Sequence, residues 1–367
     1  VIFIKDFKLM KEYTRNDLTH VIAQIQAVDE SLGEVAKMRL DDLAKPKGSL
    51  GRLEELAVKM FIASGGKRVK ADPGRIYTIA ADHGVFEEKV SFFPQEVTRQ
   101  MVENFLRGKA GINVLAETSG VDLVVVDVGC LGGAYPDHPK LLQRKIAEGS
   151  ANIAVGPAMS EAACLKAIML GVNLADEALN EGIMTLGTGE MGVSNTTPST
   201  ALYCAWLGLD PERITGPGGG ISKERIPHKI NVVKRALKAN ASAVAGRDPL
   251  SILSALGGYE LAALTGLILG GARNRQMVCI DGFISTAAYT MAVAFCPEVG
   301  GYSVLSHASA EPGYARVVES LGRRPVLHLG MRLGEGSGAA LTMFMLRAAA
   351  SVYNDMETFE EAGVTDG

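Results

Sequence analysis

Neither sign of charge is in excess in this sequence: 37 Lys and Arg stand against 41 Asp and Glu, for a formal charge of −4 at pH 7. No long run of Lys and Arg occurs, so the electrostatic footprint that a nucleic-acid partner needs is missing. Cysteine is sparse. The five residues Cys130, Cys164, Cys204, Cys279 and Cys296 are odd in number and far apart, without the close pairs of a zinc knuckle or a redox dithiol. This usage fits a reduced, cytoplasmic setting. The opening stretch VIFIKDFKLMKEYTRND has a short apolar run broken by charges and no secretory cleavage pattern, so export is not expected. Long hydrophobic runs are lacking as well. The most apolar stretch, residues 261–271, lies between Glu260 and Arg273, too short to span a bilayer, and reads as a buried helix.

Several catalytic patterns are also absent. No G-x-x-x-x-G-K-[ST] loop supports kinase-type nucleotide binding, and no G-x-S-x-G elbow supports serine hydrolysis. Asp82 and His83, with Glu87 and Glu88 nearby, match no metal-binding helix spacing, and a structural or supporting role is the better reading for them. No metal and no cofactor is implied.

What is present is a folding composition, with 47% hydrophobic and 21% charged residues over 367 positions. Residues 14–64 read as helices with charged faces, broken at KPKGSLG (45–51) by Pro and two Gly. From about residue 75 short apolar runs end in Gly or Asp and lead into helical patterns: IYTIAADHG (76–84), VDLVVVDVG (121–129), GIMTLGTGE (182–190), MVCIDG (277–282) and PVLHLG (325–330). Unalternating apolar strands separated by helices predict an α/β fold, an open, mainly parallel, Rossmann-like sheet wrapped by helices. The expected division is a helical region over 1–70, joined by C-terminal helices into a smaller domain, an α/β catalytic domain over 71–355 and an acidic tail over 356–367. Ligands bind beyond the carboxyl ends of such strands, where this chain carries Asp82, His83, Glu190, Asp281 and Gly330.

Glycine numbers 42 and concentrates in GTGEMG (187–192), GPGGGIS (216–222) and LGEGSG (333–338). Such loops let backbone N–H groups approach an anion, so a phosphate-bearing ligand is suggested. GTGEMG fits G-x-G-x-x-G, yet Glu190 inside it would bring a carboxylate towards a pyrophosphate, which disfavours a nicotinamide-dinucleotide oxidoreductase. Glu335 lies between two glycines just before an apolar helix. Apolar surroundings would raise its pKa and make it a better general base. The other reading of Glu335 is a first-turn glutamate favoured by the helix dipole.

In their order, KPKGSLGRLE (45–54), ADHGV (81–85), PQEVTRQM (94–101), GTGEMGVSNTT (187–197), HK (228–229), GGYELAALTG (257–266), CIDGFIST (279–286), SHASAEPG (306–313) and MRLGEGSGAAL (331–341) resemble the nicotinate-nucleotide:dimethylbenzimidazole phosphoribosyltransferase family, from about residue 40 to 353. The resemblance implies that Glu335 is the catalytic base and that Glu190 and Lys229 belong to the catalytic site. Without it, Lys229 would read as a solvated surface lysine. It further implies nicotinate mononucleotide as donor. The backbones of Gly192 and Asn195, with those of Gly218 and Gly219, become candidates for its 5′-phosphate, and Asp281, Ser309 and Leu333 fall in matched substrate-binding segments. Phe93, Met101 and Met191 would form an apolar wall for an aromatic acceptor, a benzimidazole or, in relatives that work as paired subunits, a phenol such as p-cresol. A homodimer, or a heterodimer with a related chain, is expected. A non-catalytic partner subunit is the remaining alternative, which retention of Glu190, Lys229 and Glu335 disfavours.

Overall fold

The computed structural model describes residues 12–365; the first eleven residues of the opening stretch lie outside it. Six strands form one sheet: β1 (Gly74–Ala81), β2 (Asp122–Gly129), β3 (Leu141–Gln143), β4 (Thr185–Met191), β5 (Met277–Ile280) and β6 (Ser303–Leu305). Their order is β3-β2-β1-β4-β5-β6, and every neighbouring pair is parallel. This is the doubly wound order, and its direction reverses between β1 and β4, the crevice where such sheets take ligands. The expected α/β class holds for the expected reason. Ile76, Ile79, Val126 and Leu186 are fully buried, as strands covered on both faces must be.

One expected strand is not there. Residues 325–330 run beside 306–310 through isolated contacts, a bridge from Leu327 to His307 and single bonds such as Val326 N–H to the Leu305 carbonyl. His328, Leu329 and Gly330 are exposed, so no apolar face holds a ladder together, and Pro325 has no N–H to give. Conversely, β3 and β6, three residues each, are too short to leave a periodic signal.

The apolar stretch read as a buried helix is one, Tyr259–Arg273, buried along its whole length to Ala272. It crosses the helix Glu161–Asn180 at backbone contact: a Cβ on Gly171 would stand 1.8 Å from the Ala263 carbonyl oxygen, and one on Gly266 1.8 Å from that of Ile168. Among the described residues no helix is long and apolar enough to cross a membrane. The helix Ser337–Asp355 lies on β1, β4 and β5 and also meets the helix Arg52–Ala63. Leu43 and Thr358 pair in an antiparallel bridge next to that contact.

Gly266→Ala tests the helix crossing. Overpacking of this kind costs about 1–3 kcal/mol or more, and here the obstacle is backbone, which no rotamer change removes. Urea unfolding should show the lower stability, and an unchanged midpoint would mean that the two helices separate freely.

Candidate active site

A cavity of about 560 Å³ opens at the carboxyl ends of β4 and β5. Glu190, Met191, Gly192 and Asn195 reach it from β4 and the turn that follows. Gly218 and Gly219 come from the glycine loop, and Phe93 and Met101 from the segment after β1. Asp281, Ser309, Leu333 and Glu335 complete it from the loops beyond β5 and β6. Every expected site residue except Lys229 therefore lines one space. Phe93 and Leu333 are exposed at its mouth, and Phe93 also rests on the glycine loop, 3.2 Å from where a Gly219 Cβ would be.

Glu335 precedes the helix Ser337–Asp355 and has φ 65°, between Gly334 at 84° and Gly336 at 98°. Three successive left-handed residues make a tight reversal that only glycine flanks readily allow. The turn is clamped: the Thr78 hydroxyl of β1 donates to the Glu335 carbonyl at 2.8 Å. The Glu335 carboxyl is buried and accepts one hydrogen bond, 3.2 Å from the Ile112 N–H. Burial raises its pKa and the Ile112 N–H offsets this only in part. The first-turn alternative fails on geometry, since Glu335 lies outside the helix and faces the cavity.

Two further carboxyls stand close by. Asp281 accepts from the N–H groups of Gly338 at 2.7 Å, Ala339 at 3.1 Å and Gly336 at 3.3 Å. It caps the buried helix end, and burial lifts its pKa to about 7 against the pull of these three donors. Glu190 accepts a short hydrogen bond from the Asn195 amide. Burial first, then Asp281, pushes Glu190 to about 8, so at neutral pH it is largely a neutral acid.

Lys229, in the helix Ile226–Ala239, is fully buried and not on the surface. Its ammonium donates to Thr196 Oγ1 at 2.6 Å and to the Gly216 carbonyl at 3.2 Å. A Cβ on Gly218 would lie 3.0 Å from Lys229 Nζ, so the glycine loop rests on the cation. Burial depresses its pKa to about 8, opposed by Glu311. The N-terminus of the helix Thr196–Leu207 lies beside it, and a cation at a helix N-terminus is the kind of arrangement that attracts anions.

Sequence reasoning missed three residues here. His307 and Glu311, both buried, line the cavity along with Ser309. Their spacing in SHASAEPG, every second residue, was the available signal, because alternate residues of an extended segment share a side. Neither ring nitrogen of His307 is hydrogen-bonded among the described residues, and Nε2 is 3.9 Å from Asp281 Oδ1. Arg332 lines the mouth and is exposed. Asp82 and His83 are not in the cavity wall. His83 pairs with Glu260 at 2.7 Å and stands 3.2 Å from a Cβ position on Gly192, supporting that turn from beneath.

A buried carboxyl facing the cavity and a buried lysine behind its glycine loop suit transfer of a phosphate-bearing sugar, and the chain belongs to the phosphoribosyltransferase family, whose model matches residues 25–364. Among curated relatives it is similar to the nicotinate-nucleotide–dimethylbenzimidazole phosphoribosyltransferase of Nitratidesulfovibrio vulgaris (strain DP4), at 59% identity over 352 residues, 96% of this chain and 99% of the relative. The enzyme of that name from Chlorobaculum tepidum is 48% identical over 94% of this chain and 97% of its own length. The crystal structure of CobT from Thermus thermophilus superposes with a TM-score of 0.86 at 42% identity, covering 92% of this chain and all of that one (100%).

Glu190 yields a test of these electrostatics. Its folded pKa of about 8 exceeds the ordinary 4.5, so between the two the folded protein holds a proton that the unfolded chain has released. Stability then falls as pH rises through that window, with the full penalty above the folded pKa. Glu190→Gln removes this contribution. Its urea midpoint should decline less than that of the wild type from about pH 5 to about pH 8, and equal declines would show that Glu190 ionises normally.

Proposed function

We propose that this chain transfers the phosphoribosyl group of nicotinate mononucleotide to 5,6-dimethylbenzimidazole or a similar base, giving an α-ribazole 5′-phosphate and nicotinate for cobalamin nucleotide-loop assembly. The observation that carries this reading is the placement of Glu335, a buried carboxyl held in a left-handed turn and facing a cavity whose glycine loop rests on Lys229.

The donor brings its own leaving group. Its glycosidic nitrogen belongs to a cationic pyridinium, so nicotinate departs with a neutral ring and needs no protonation. The 5′-phosphate is received by Lys229 and the backbone N–H groups of Ser194, Gly218 and Gly219, at the start of the helix Thr196–Leu207, whereas the N–H groups of Val193, Asn195 and Gly220 already donate to Thr98 Oγ1 and to the Gly192 and Pro217 carbonyls. Phe93, Met101 and Met191 offer an apolar wall to the acceptor ring. One imidazole nitrogen attacks the anomeric carbon from the face opposite nicotinate, which inverts that centre and gives the α linkage. Glu335 takes the proton from the other nitrogen, and holding both reactants in one cavity supplies much of the remaining acceleration. Glu190, largely neutral at this pH, stands beside Glu335 without repelling its charge.

Incubating the protein with nicotinate mononucleotide and 5,6-dimethylbenzimidazole and weighing the products tests the reaction directly; no nucleotide product would refute it. Glu335→Gln keeps the shape and loses the base, so kcat should drop by about a hundredfold to ten-thousandfold with an unchanged unfolding midpoint. Near-normal turnover in that variant would remove Glu335 from the role.

The pH profile isolates Lys229. Because phosphate binding needs the ammonium, kcat/KM for the donor should fall above about 8, where burial has placed its pKa. Lys229→Arg, charged throughout this range, should move that alkaline limb upward, and an unmoved limb would assign it to another group.

A further inference from the structure

Four carboxyl groups line the cavity: Glu190, Asp281, Glu335 and Glu311. Three have their acceptor capacity engaged. Glu190 accepts from Asn195, Asp281 from three backbone N–H groups and Glu335 from Ile112. Glu311 is more than nine-tenths buried, at 7% exposure, and among the described residues no group donates a hydrogen bond to its side chain. Glu311 lines the cavity, and the cavity is where a donor to it can enter.

Its position narrows the choice of donor. Glu311 Oε2 lies against the glycine loop, 2.1 Å from where a Gly216 Cβ would be, and the Gly216 carbonyl takes the 3.2 Å hydrogen bond from Lys229 Nζ. Glu311 thus stands in the cavity wall close to Lys229 and the glycine loop. Ser309, two residues earlier and also in the wall, orders this stretch by accepting the Glu311 N–H at 3.4 Å.

Resting on the transfer reading above, we infer that Glu311 is the ribose-recognition residue, its carboxylate accepting hydrogen bonds from the donor's 2′- and 3′-hydroxyls. The chemistry of nicotinate mononucleotide supports this. Its pyridinium nitrogen carries no N–H, its ring carboxylate is ionised and its phosphate is largely so near neutrality. The two ribose hydroxyls are then its dependable hydrogen-bond donors, and an ionised carboxylate is acceptor-only. Fixing the sugar between Lys229 and Glu311 turns its anomeric carbon towards the acceptor and Glu335, and it selects a ribose over a deoxyribose donor.

The test compares nicotinate mononucleotide with its 2′-deoxy and 3′-deoxy analogues on wild type, Glu311→Gln and Glu311→Asp, each with its unfolding midpoint. Calorimetric binding without acceptor is read beside kcat/KM with 5,6-dimethylbenzimidazole. Loss of a hydrogen bond to a charged group should weaken wild-type binding of at least one deoxy analogue by about tenfold to a hundredfold. In Glu311→Gln most of that discrimination should vanish while KM for the acceptor stays unchanged. Glu311→Asp, which keeps the charge near Lys229 but withdraws it by one methylene, should fall between. Deoxygenation alters the intrinsic lability of the glycosidic bond equally for all three proteins, so comparing ratios cancels it. Equal wild-type binding of all three nucleotides, or the same ratio in a folded Glu311→Gln, would overturn the inference. A wild type that discriminates in binding yet forms no product would instead defeat the transfer reading and leave ribose recognition standing.

Discussion

The carboxylate of Asp281 is the fixed point of this site. It leaves the end of β5 and takes the N–H groups of Gly336, Gly338 and Ala339, donors that the start of a buried helix cannot satisfy internally. That one cap joins the sheet to the helix Ser337–Asp355 and sets the turn that carries Glu335. Thr78 of β1 holds the same turn through the Glu335 carbonyl. On the β4 side, a Gly189 Cβ would come within 2.4 Å of that carbonyl oxygen, so the turn fits only against a bare backbone. Three adjacent strands therefore define where the Glu335 carboxyl sits. Its position is fixed by contacts of its turn with the central strands.

Charge is divided along the cavity. Glu190, Asp281 and Glu335 crowd one region, and Lys229 lies beneath the other. Two like charges about 4 Å apart repel by roughly 4 kcal/mol at an effective dielectric of 20, which is enough to keep one carboxyl protonated. Glu190, pushed to about 8 by burial and by Asp281, is the one that holds its proton. Glu335 is raised by burial, with the Ile112 N–H opposing it and no carboxyl among its causes, and it faces the cavity where a proton could be taken. An anion entering this cavity would be turned away from these three carboxyls and towards Lys229, although Glu311 stands near the lysine.

Much of this was legible in the sequence, and the exceptions have physical causes. The central strands announced themselves because burial on both faces demands unbroken apolar runs, as in LVVVDV. The helix 259–273 did so for the same reason. Strands β3 and β6 were invisible because three residues give no period, and PVLHLG misled because its apolar letters point partly to solvent, Leu329 at 57% exposure. For the site, motif order brought together residues from six separate segments, which composition could not have done. Lys229 illustrates the limit. Nothing local marks it as buried, since its companions Thr196 and Gly216 are 33 and 13 residues away in sequence. Glu311 escaped for a related reason: its significance lies in lacking a partner, a property that exists only after the other three carboxyls have found theirs.

The same unmet needs explain why the cavity favours a phosphorylated sugar. Lys229 is buried deeply enough to be half-neutral near pH 8, with Glu311 as the carboxylate that partly sustains its charge. A phosphate supplies the missing negative charge and raises the lysine's pKa, so above neutrality donor binding and proton uptake are coupled. On the same reading the ribose hydroxyls give Glu311 donors that the protein itself does not supply. The ligand thus completes two polar groups that the fold leaves incomplete. A nucleotide without the phosphate leaves Lys229 incomplete, and one without the hydroxyls leaves Glu311 so. Specificity arises here from what the empty protein cannot satisfy by itself.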